Sequence, residues 1–408
     1  MNIKKIIKMM FTNTGVDKGI YICTFILCVF GVVMIGDASV GMVVKYGRNY
    51  PIINMLKQCF FLGAGAFFMA VIAHKFNTNK MLTKNFLKVL YFGTLFAMFA
   101  CLLWSINGAH GWIKLGPITI QPAEFMKIVI ILLLAYHFGV LPDHFMYKYG
   151  SAKHKAEMDN LFIKHCVAYP VAAAAVAFFV CAIVQKDLGS GIILAAISII
   201  IFFCVPLKRF DRIKVIFAIT AVIAVILFGL AGGVGLMPHQ LQRFESWLNP
   251  LSGVYDKTWQ IVNGFVAYSN GGLFGLGFGN SIMKYGYIPE SQNDFISAII
   301  VEEFGLFGFA LLMIPYFYII FKIFKYGIKN ENIPDRLILI GISSYFFLHL
   351  FVNIGGVSGL IPMTGVPLIF ISAGGSSTLA GLMSLGIAQS IIKRYNRNKL
   401  KKKVEDEL

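Results

Sequence analysis

Charged residues are scarce in this sequence. Asp, Glu, Lys and Arg together make up 13% of the 408 residues, whereas about 25% is usual for a soluble domain. Hydrophobic residues account for 58%, and the mean hydropathy is +0.74. This composition excludes an ordinary soluble enzyme and indicates a protein with many transmembrane segments.

The sequence also offers little for disulfide or metal chemistry. It has seven cysteines, all in or beside apolar stretches. Their spacing fits neither a disulfide framework nor a set of metal ligands. We therefore expect buried cysteines that pack as small hydrophobic side chains.

A cleavable leader is not visible at the start of the chain. Residues 1–18 lack a short apolar core followed by a small-residue cleavage site. The first apolar run, 19–36, is long enough to span a membrane, and we expect it to remain as an uncleaved anchor. Since no internal repeat or separate soluble domain is visible, we interpret 1–408 as a single transmembrane domain.

Ten apolar segments are each about long enough to cross the hydrocarbon core of a membrane. They are 19–36, 52–73, 87–106, 123–138, 167–184, 188–205, 215–236, 295–321, 337–354 and 366–391. Lipid offers no partner for backbone N–H and C=O groups, so these segments must be helical. The sequence therefore predicts an all-α polytopic membrane protein with about ten transmembrane helices.

The distribution of lysine and arginine predicts the orientation of these helices. Of the 36 basic residues, 27 fall in segments on the same side as the N-terminus. Such an excess marks cytoplasmic loops, so both termini are expected in the cytoplasm, with 392–408 as a basic tail. The basic tail is then mostly a feature of topology and anionic-lipid contact, and the net charge of +17 does not indicate nucleic-acid binding. Segment 237–294 becomes a large extracytoplasmic loop between helices 7 and 8.

This long loop contains the most informative polar residues. Loops of such length are usually functional or disordered, and its many aromatic residues argue against disorder. Its glycines could bring amides close to a phosphate or simply form tight turns. Asp294 stands where the chain re-enters an apolar segment, and partial dehydration there would suit a general base. Helix capping by Asp294 is the alternative. Arg243, Gln260 and Lys284 are further polar candidates of the loop, and Glu290 belongs to the motif that leads to Asp294.

A second motif, WIKLGPITIQPAEFMK, contains Lys114, Gln121, Glu124 and Lys127. Its proline and glutamate suit the first turn of a helix, and Glu124 and Lys127 are spaced to form a simple ion pair. However, an acid and a base within an apolar span are costly, and such residues are usually functional. Both interpretations remain open.

Two further motifs interrupt apolar sequence. In QKDLG, Asp187 is placed either to cap the next helix, to serve a site, or both. Near the C-terminus, GLIPMTGVPLIFISAGGSS contains Gly374, Gly375 and Ser376. Its prolines and glycines would break a plain span, which is tolerated where the backbone lines a cavity. Small residues that allow close helix packing are the alternative.

In this order, the four motifs resemble those of the SEDS family of cell-wall polymerases, which includes the FtsW and RodA branches. The sequence departs from the family patterns at Ala123, Lys186, Asn293 and Ile369. Every charged motif position is intact, and the resemblance covers essentially the whole chain. The stretch GNSIMKYGYIPE is more similar to the FtsW division branch.

The resemblance implies polymerisation of lipid II into glycan strands at the outer face of the cytoplasmic membrane. Asp294 matches the essential aspartate of the family. Lys127, Lys114 and Arg243 are available to balance the charge of the leaving diphosphate. The other motif positions are expected to bind substrate: Glu124, Gln121, Asp187, Gln260, Glu290, Gly374, Gly375 and Ser376.

A divalent cation, Mg²⁺ or Mn²⁺, could share the neutralisation of the diphosphate, although the sequence shows no ligand cluster for one. The resemblance also implies partners. They are lipid II, the undecaprenyl-diphosphate-linked glycan chain, a class B penicillin-binding protein that supplies the transpeptidase, and other membrane proteins of division or elongation.

Two other functions compete with the polymerase. A lipid II flippase should carry ionisable groups near the middle of the membrane, whereas those of this chain cluster at the outer ends of the spans. A non-catalytic scaffold for division proteins would have no need of Asp294.

Overall fold

A computed structural model describes residues 15–105, 108–116, 118–145, 152–230, 238–252 and 258–407. The main helices are α1 (Lys18–Ala38), α2 (Tyr50–Lys75), α3 (Lys84–Ala100), α4 (Pro122–Ala135), α5 (Ala152–Ile163), α6 (Tyr169–Phe179), α7 (Leu188–Phe203), α8 (Asp211–Leu230), α9 (Pro238–Leu248), α10 (Trp259–Gly271), α11 (Ile296–Lys329), α12 (Ile333–Val357) and α13 (Gly375–Glu407). Shorter helical segments are Val40–Met42, Val43–Tyr46, Thr78–Met81, Cys101–Leu103, Tyr136–Val140, Leu141–Phe145, Lys164–Ala168, Val180–Val184 and Lys208–Phe210. A hairpin of β1 (Ile113–Leu115) and β2 (Ile118–Ile120) precedes α4, with Ile113 opposite Ile120.

The predicted all-α polytopic architecture is confirmed. In the described residues, eight helical segments are long and apolar enough to cross a membrane. A ninth candidate is the pair Leu188–Phe203 and Lys208–Thr220, which is bent by 120°. Helix α7 alone has 16 residues and ends two residues before the end of the predicted span 188–205. The end of the predicted span 215–236 lies outside the described residues.

The last span begins later than the sequence suggested. We expected it at residue 366, but α13 begins at Gly375, because the segment before it folds as an irregular loop. Within this loop the N–H of Leu368 donates to Oγ of Ser372 at 2.8 Å. The N–H of Ala373 donates to the carbonyl of Gln292 at 2.9 Å. The interrupted C-terminal motif therefore packs against the segment that carries Asp294.

Helices α4, α12 and α13 form the centre of the bundle. In their most apolar windows, 72%, 78% and 83% of the residues are buried, against 22% for the span that contains α3. Pro122 starts α4, and Oδ1 of Asn332 caps α12 by accepting from the N–H of Asp335 at 3.1 Å. Polar residues on these central helices are consequently enclosed by protein rather than by lipid.

Helix α11 is interrupted at Gly305, and the glycine-rich part of the long loop fills the break. Gly305 has φ 68° and ψ 178°, a conformation that favours glycine. A Cβ at this position would lie 2.3 Å from the carbonyl oxygen of Leu273. Four backbone hydrogen bonds of 2.9–3.0 Å close the break, from Leu306 to Gly272, Phe307 to Leu273, Leu276 to Glu302 and Gly277 to Glu303. Two of these bonds use loop amides, those of Leu276 and Gly277, and the other two use loop carbonyls. These contacts favour the structural interpretation of the glycine-rich turns, and a phosphate role for the glycines stays a prediction.

The described parts of the long loop are folded. They form α9, α10 and a series of turns that ends at α11. Nε1 of Trp247 donates to the carbonyl of Gly359 at 2.9 Å, and Nδ2 of Asn263 donates to the carbonyl of Tyr287 at 3.2 Å. The loop is thereby fastened both to itself and to the C-terminal motif.

Candidate active site

Asp294 lies in the last turn before α11. The N-cap of that helix is Phe295, and no side chain makes a capping hydrogen bond. The alternative interpretation, in which the aspartate caps the helix, is therefore wrong. The side chain of Asp294 is half-buried. Burial raises the pKa of Asp294 to about 6, the nearby Glu290 carboxylate raises it further, and Arg243 opposes both effects.

The backbone around Asp294 is held by the end of α12. Nδ2 of Asn353 donates at 2.8 Å to the carbonyl oxygen of Asp294 and at 2.8 Å to that of Val366. Gly365 has φ 74°, and a Cβ there would lie 3.4 Å from Oδ2 of Asp294. One amide side chain thus joins the catalytic candidate to the C-terminal motif.

Arg243 reaches the same place from α9. Its Nη1 donates to the carbonyl oxygens of Met363 and Thr364 at 3.3 and 3.2 Å, immediately before Gly365. The guanidinium remains exposed and acts electrostatically on Asp294. A carboxylate with raised basicity and a cation therefore share one surface, as proton abstraction beside an anionic leaving group requires.

Glu290 and Gln260 shape the turn before Asp294. Glu290 has φ 59°, an uncommon conformation for a residue with a side chain. Its Oε2 accepts from Nδ2 of Asn293 at 2.6 Å, and Nε2 of Gln260 donates to the carbonyl of Pro289 at 2.7 Å. Both contacts position the turn, and substrate contact by these two residues stays a prediction.

Gln121, Asp187 and Ser376 bring three motifs together. Oδ1 of Asp187 caps α7 by accepting from the N–H of Ser190 at 3.0 Å, which confirms the capping interpretation. Oδ2 of the same residue accepts from Nε2 of Gln121 at 2.6 Å. The backbone N–H of Gln121 donates to Oγ of Ser376 at 2.8 Å.

The glycines beside Ser376 are needed for close packing. A Cβ on Gly375 would lie 2.2 Å from the ring of Phe61, and one on Gly374 would lie 2.4 Å from Oγ of Ser377. The structure therefore supports the packing interpretation at both positions. Contact of Gly374 and Gly375 with substrate stays a prediction.

Lys127 and Glu124 form a buried ion pair, with 2.6 Å between Nζ and Oε1. Nζ of Lys127 also lies 3.1 Å from Nε2 of His349, and the hydroxyl of Tyr345 donates to Oε2 of Glu124 at 3.1 Å. Each of these four residues is at most 1% exposed. Lys127 is thus enclosed and paired in this structure, and its contact with phosphate stays a prediction.

His349 and Asn353 were missed by the sequence analysis. They follow Tyr345 at intervals of four residues, so the three side chains lie on one face of α12. Nδ1 of His349 is 3.3 Å from the carbonyl of Pro367, in the loop that Asn353 also holds. For His349, an ionisable residue within an apolar span was the available signal.

A second buried ion cluster anchors the long loop. Nζ of Lys284 donates to Asp37 at 2.7 Å, to Glu303 at 2.8 Å and to the carbonyl of Gly279 at 2.9 Å. Burial alone would lower the pKa of Lys284, but the hydrogen bonds to the two carboxylates raise it above its usual value. This cluster joins the loop to α1 and α11.

Lys114 lies apart from these contacts. It is exposed in β1, opposite Thr119, and its predicted approach to a diphosphate would require the ligand to extend over the hairpin. In the part of the chain that the structure describes, no group of three His, Cys, Asp or Glu residues is arranged to hold a metal ion.

Comparisons with known proteins cover almost all of the chain. Residues 18–398 match the sequence profile of the FtsW, RodA and SpoVE family, described as cell cycle proteins. The chain is 34% identical over 397 residues to the probable peptidoglycan glycosyltransferase FtsW of Bacillus subtilis (strain 168), covering 95% of this chain and 93% of the relative. It is 30% identical to stage V sporulation protein E of the same organism, covering 94% and 99%.

Solved structures show the same fold. One comes from a peptidoglycan synthase complex that was solved to show the structural coordination of polymerization and crosslinking. It superposes with a TM-score of 0.68 at 21% identity, covering 93% of this chain and 98% of the other. The rod shape determining protein RodA of Thermus thermophilus superposes with a TM-score of 0.60 at 21% identity, covering 93% and 97%.

Proposed function

Because this chain belongs to the FtsW, RodA and SpoVE family of cell cycle proteins, we propose that it is a peptidoglycan glycosyltransferase. It polymerises lipid II into glycan strands for cell division or cell-shape maintenance. The observation that carries this proposal is the Asp294 carboxylate, which caps no helix, has a pKa of about 6 and lies beside Arg243.

Asp294 acts as the general base. Its carboxylate takes the proton from the acceptor sugar hydroxyl, and the oxygen attacks the anomeric carbon of the growing glycan. The bond from that carbon to the diphosphate breaks, and the undecaprenyl diphosphate leaves as the new β-1,4 linkage forms. A base whose pKa lies near the working pH is well matched to this proton transfer.

Arg243 is the cation best placed to balance the leaving diphosphate, because it is exposed and acts on Asp294. Lys114 supplies charge at the hairpin, whereas Lys127 would first have to leave Glu124 and His349. A divalent cation, Mg²⁺ or Mn²⁺, could add to this charge when the diphosphate binds. Loss of polymerisation in excess chelator, restored by either ion, supports that part of the proposal, and unchanged activity contradicts it.

The reaction takes place on the extracytoplasmic side, with both termini in the cytoplasm. The biased distribution of lysine and arginine supports this orientation. In a cysteine-free background, a cysteine at the exposed position Ser252 should react with an impermeant thiol reagent outside intact cells. A cysteine at the exposed position Lys155 should not, and the reverse pattern would overturn the orientation.

A class B penicillin-binding protein is the proposed partner. The similar complex named for coupled polymerization and crosslinking supports this pairing. Other membrane proteins of division or elongation would bind the same assembly. Co-purification of the full chain with its transpeptidase from detergent extracts tests the pairing.

Lipid II transport is a second candidate, favoured by one observation. The buried cluster of Glu124, Lys127 and His349 is the kind of intramembrane ionisable group that marks transport pathways. A flippase would move lipid II across vesicle membranes without forming polymer, whichever residue occupies position 294.

The deciding experiment compares variants of the purified chain with its partner in a lipid II polymerisation assay. Asp294→Asn and Asp294→Ala should each lower the rate by about 10²–10⁴-fold, the usual contribution of general-base catalysis. Both should fold, since Asp294 caps no helix. Asp143→Asn, at an exposed carboxylate, is the matched control. Polymer made at the normal rate by Asp294→Asn would remove Asp294 as the base.

A further inference from the structure

A groove lies between three parts of the bundle. They are α3, α6 and the short helical segments Tyr136–Val140 and Leu141–Phe145 that continue α4. The groove encloses about 750 Å³, which is within the usual range for ligand sites. Phe92, Tyr169 and Val176 line it and are 60%, 46% and 45% exposed, so the groove opens at the outer surface of the helix bundle. In a membrane this surface faces lipid.

The groove is remote from the candidate active site. Helix α4 begins at Pro122, next to Gln121 and its contacts with Asp187 and Ser376. His137 lies 15 residues further along the same helical segment, a rise of about 22 Å. The groove therefore belongs to the opposite end of the bundle from Gln121.

One part of the groove is basic. Among the residues that the structure describes, its lining contains five basic side chains and no carboxylate; the basic residues are Lys84, Lys88, His137, His144 and His165. Lys84 and Lys88 are spaced to lie on one face of α3, where like charges repel each other. An anion bound between them would remove that repulsion.

Two of the histidine rings already have one nitrogen engaged. Nδ1 of His137 is 2.6 Å from the carbonyl of His165, and Nδ1 of His144 is 3.3 Å from that of Val140. Since a carbonyl only accepts, Nδ1 of each ring carries the hydrogen. Nε2 is then the atom that each ring can present to a ligand, and it donates to a phosphate when the ring is protonated.

The rest of the groove is apolar. Its apolar lining includes Leu87, Tyr91, Leu95, Leu133, Ala172 and Val176. A soluble phosphate compound would use the basic part and leave these walls uncovered. A ligand that matches both parts has an anionic head and a hydrocarbon chain.

We propose that this groove binds one anionic phospholipid, with the phosphate headgroup at Lys84 and Lys88 and an acyl chain along the apolar wall. The proposal does not depend on the glycosyltransferase function. With both termini in the cytoplasm, the site lies in the cytoplasmic leaflet, where anionic lipids attract basic residues. The bound lipid would join the peripheral helices α3 and α6 to the central helix α4.

The test counts lipids bound to the purified full chain by native mass spectrometry. The protein in detergent is titrated with phosphatidylglycerol or with phosphatidylcholine of the same acyl chains. We expect one phosphatidylglycerol to bind at least about tenfold more tightly than phosphatidylcholine, because two or more lysines near an anionic headgroup each contribute about fivefold. Equal binding of the two lipids would overturn the proposal.

Two variants examine the two parts of the groove separately. Lys84→Gln with Lys88→Gln should weaken phosphatidylglycerol binding by about 25-fold, from two such contributions. Ala172→Trp keeps every charge but fills the apolar part, and it should also weaken binding. Lys325→Gln with Lys329→Gln removes the same charge from exposed positions on α11 and should change binding by less than about twofold.

The outcomes separate the possible ligands. A loss in both groove variants, but not in the α11 control, supports a lipid with head and chain in the groove. If Ala172→Trp binds normally, or if inorganic phosphate displaces the lipid, the occupant is a soluble anion and the proposal fails. An equal loss in the α11 control would show a general charge effect and would also overturn the proposal.

Discussion

The side chain of Asn353 holds the backbone of Asp294, with its Nδ2 2.8 Å from the aspartate carbonyl oxygen. The same atom donates to the carbonyl oxygen of Val366 at 2.8 Å, so the segments that carry Asp294 and Val366 are held at a fixed distance from each other. The position of the candidate base is therefore set by α12, an element far from it in sequence.

Asn353→Asp should lower the polymerisation rate while leaving the protein folded. An ionised aspartate keeps the size but has no donor, and its charge would face two carbonyl oxygens. We expect a fall of about 10–100-fold in kcat, since small displacements of a catalytic group have effects of this order. Asn280→Asp is the matched control, because Asn280 also donates to a carbonyl but is exposed. A normal rate in Asn353→Asp would show that this hydrogen bond does not position the base.

The rate of polymerisation should depend on pH through Asp294. Its pKa is about 6, raised first by burial, and a general base works only when it is deprotonated. Activity should therefore rise as the pH increases through about 6, and at pH 5 it should be about tenfold below its plateau. An aspartate with an ordinary pKa of about 3.9 would keep the plateau at pH 5.

Charge changes near Asp294 should move this pH profile in opposite directions. Glu290→Gln removes a carboxylate that raises the pKa of Asp294, so the midpoint should fall, whereas Arg243→Gln should raise it. Initial rates between pH 4.5 and 8 measure both midpoints. A midpoint that neither substitution moves would contradict Asp294 as the titrating group.

Lys127→Ala should strongly reduce activity, either because the lysine serves the substrate or because its loss destabilises the protein. One further variant separates these two causes. Removing the lysine leaves Glu124 buried without its cation, which typically costs about 3–5 kcal/mol of stability. The neutral pair Glu124→Gln with Lys127→Met avoids that cost. If the Glu124–Lys127 pair serves the substrate, this double variant is folded but inactive, as thermal unfolding and the polymerisation assay would show. Recovery of activity in the double variant would restrict Lys127 to a structural role.

Lys284→Met should destabilise the protein, because Asp37 and Glu303 would lose the cation that both contact. Breaking a buried ion pair in this way costs about 3–5 kcal/mol, and thermal unfolding in detergent should show a lower midpoint. Adding Glu303→Gln should recover part of the loss. Lys329→Met, at an exposed lysine, should leave the midpoint unchanged. An unchanged midpoint in Lys284→Met would contradict this role of the cluster.

The sequence predicted the helices and the placement of Asp294 better than it predicted the partners of the polar residues. Apolar length is a local property, and so is the capping pattern that identified Asp187. The pairing of Lys284 with Asp37 joins residues 247 positions apart, and no local pattern contains that information. The start of α13 was misplaced because the segment after Pro362 is as apolar as a helix, although its backbone hydrogen bonds follow an irregular path.

The break in α11 escaped prediction for a related reason. A single glycine such as Gly305 within an apolar run is usually tolerated in a helix. Whether it marks a break depends on a second segment that satisfies the exposed backbone groups. Here that segment is the glycine-rich loop, and its register cannot be read from Gly305 alone.

The paired backbone at this break has a consequence for how the length of the chain can vary. Surface loops usually tolerate insertions and deletions, but Gly272 and Gly277 bond to opposite sides of the break. One residue added between them would shift the register and leave backbone groups of α11 unmatched, in surroundings where lipid supplies no substitute. Among relatives, this stretch should therefore keep a constant number of residues, whereas the turn at Asn249 to Ser252 has room to grow or shrink.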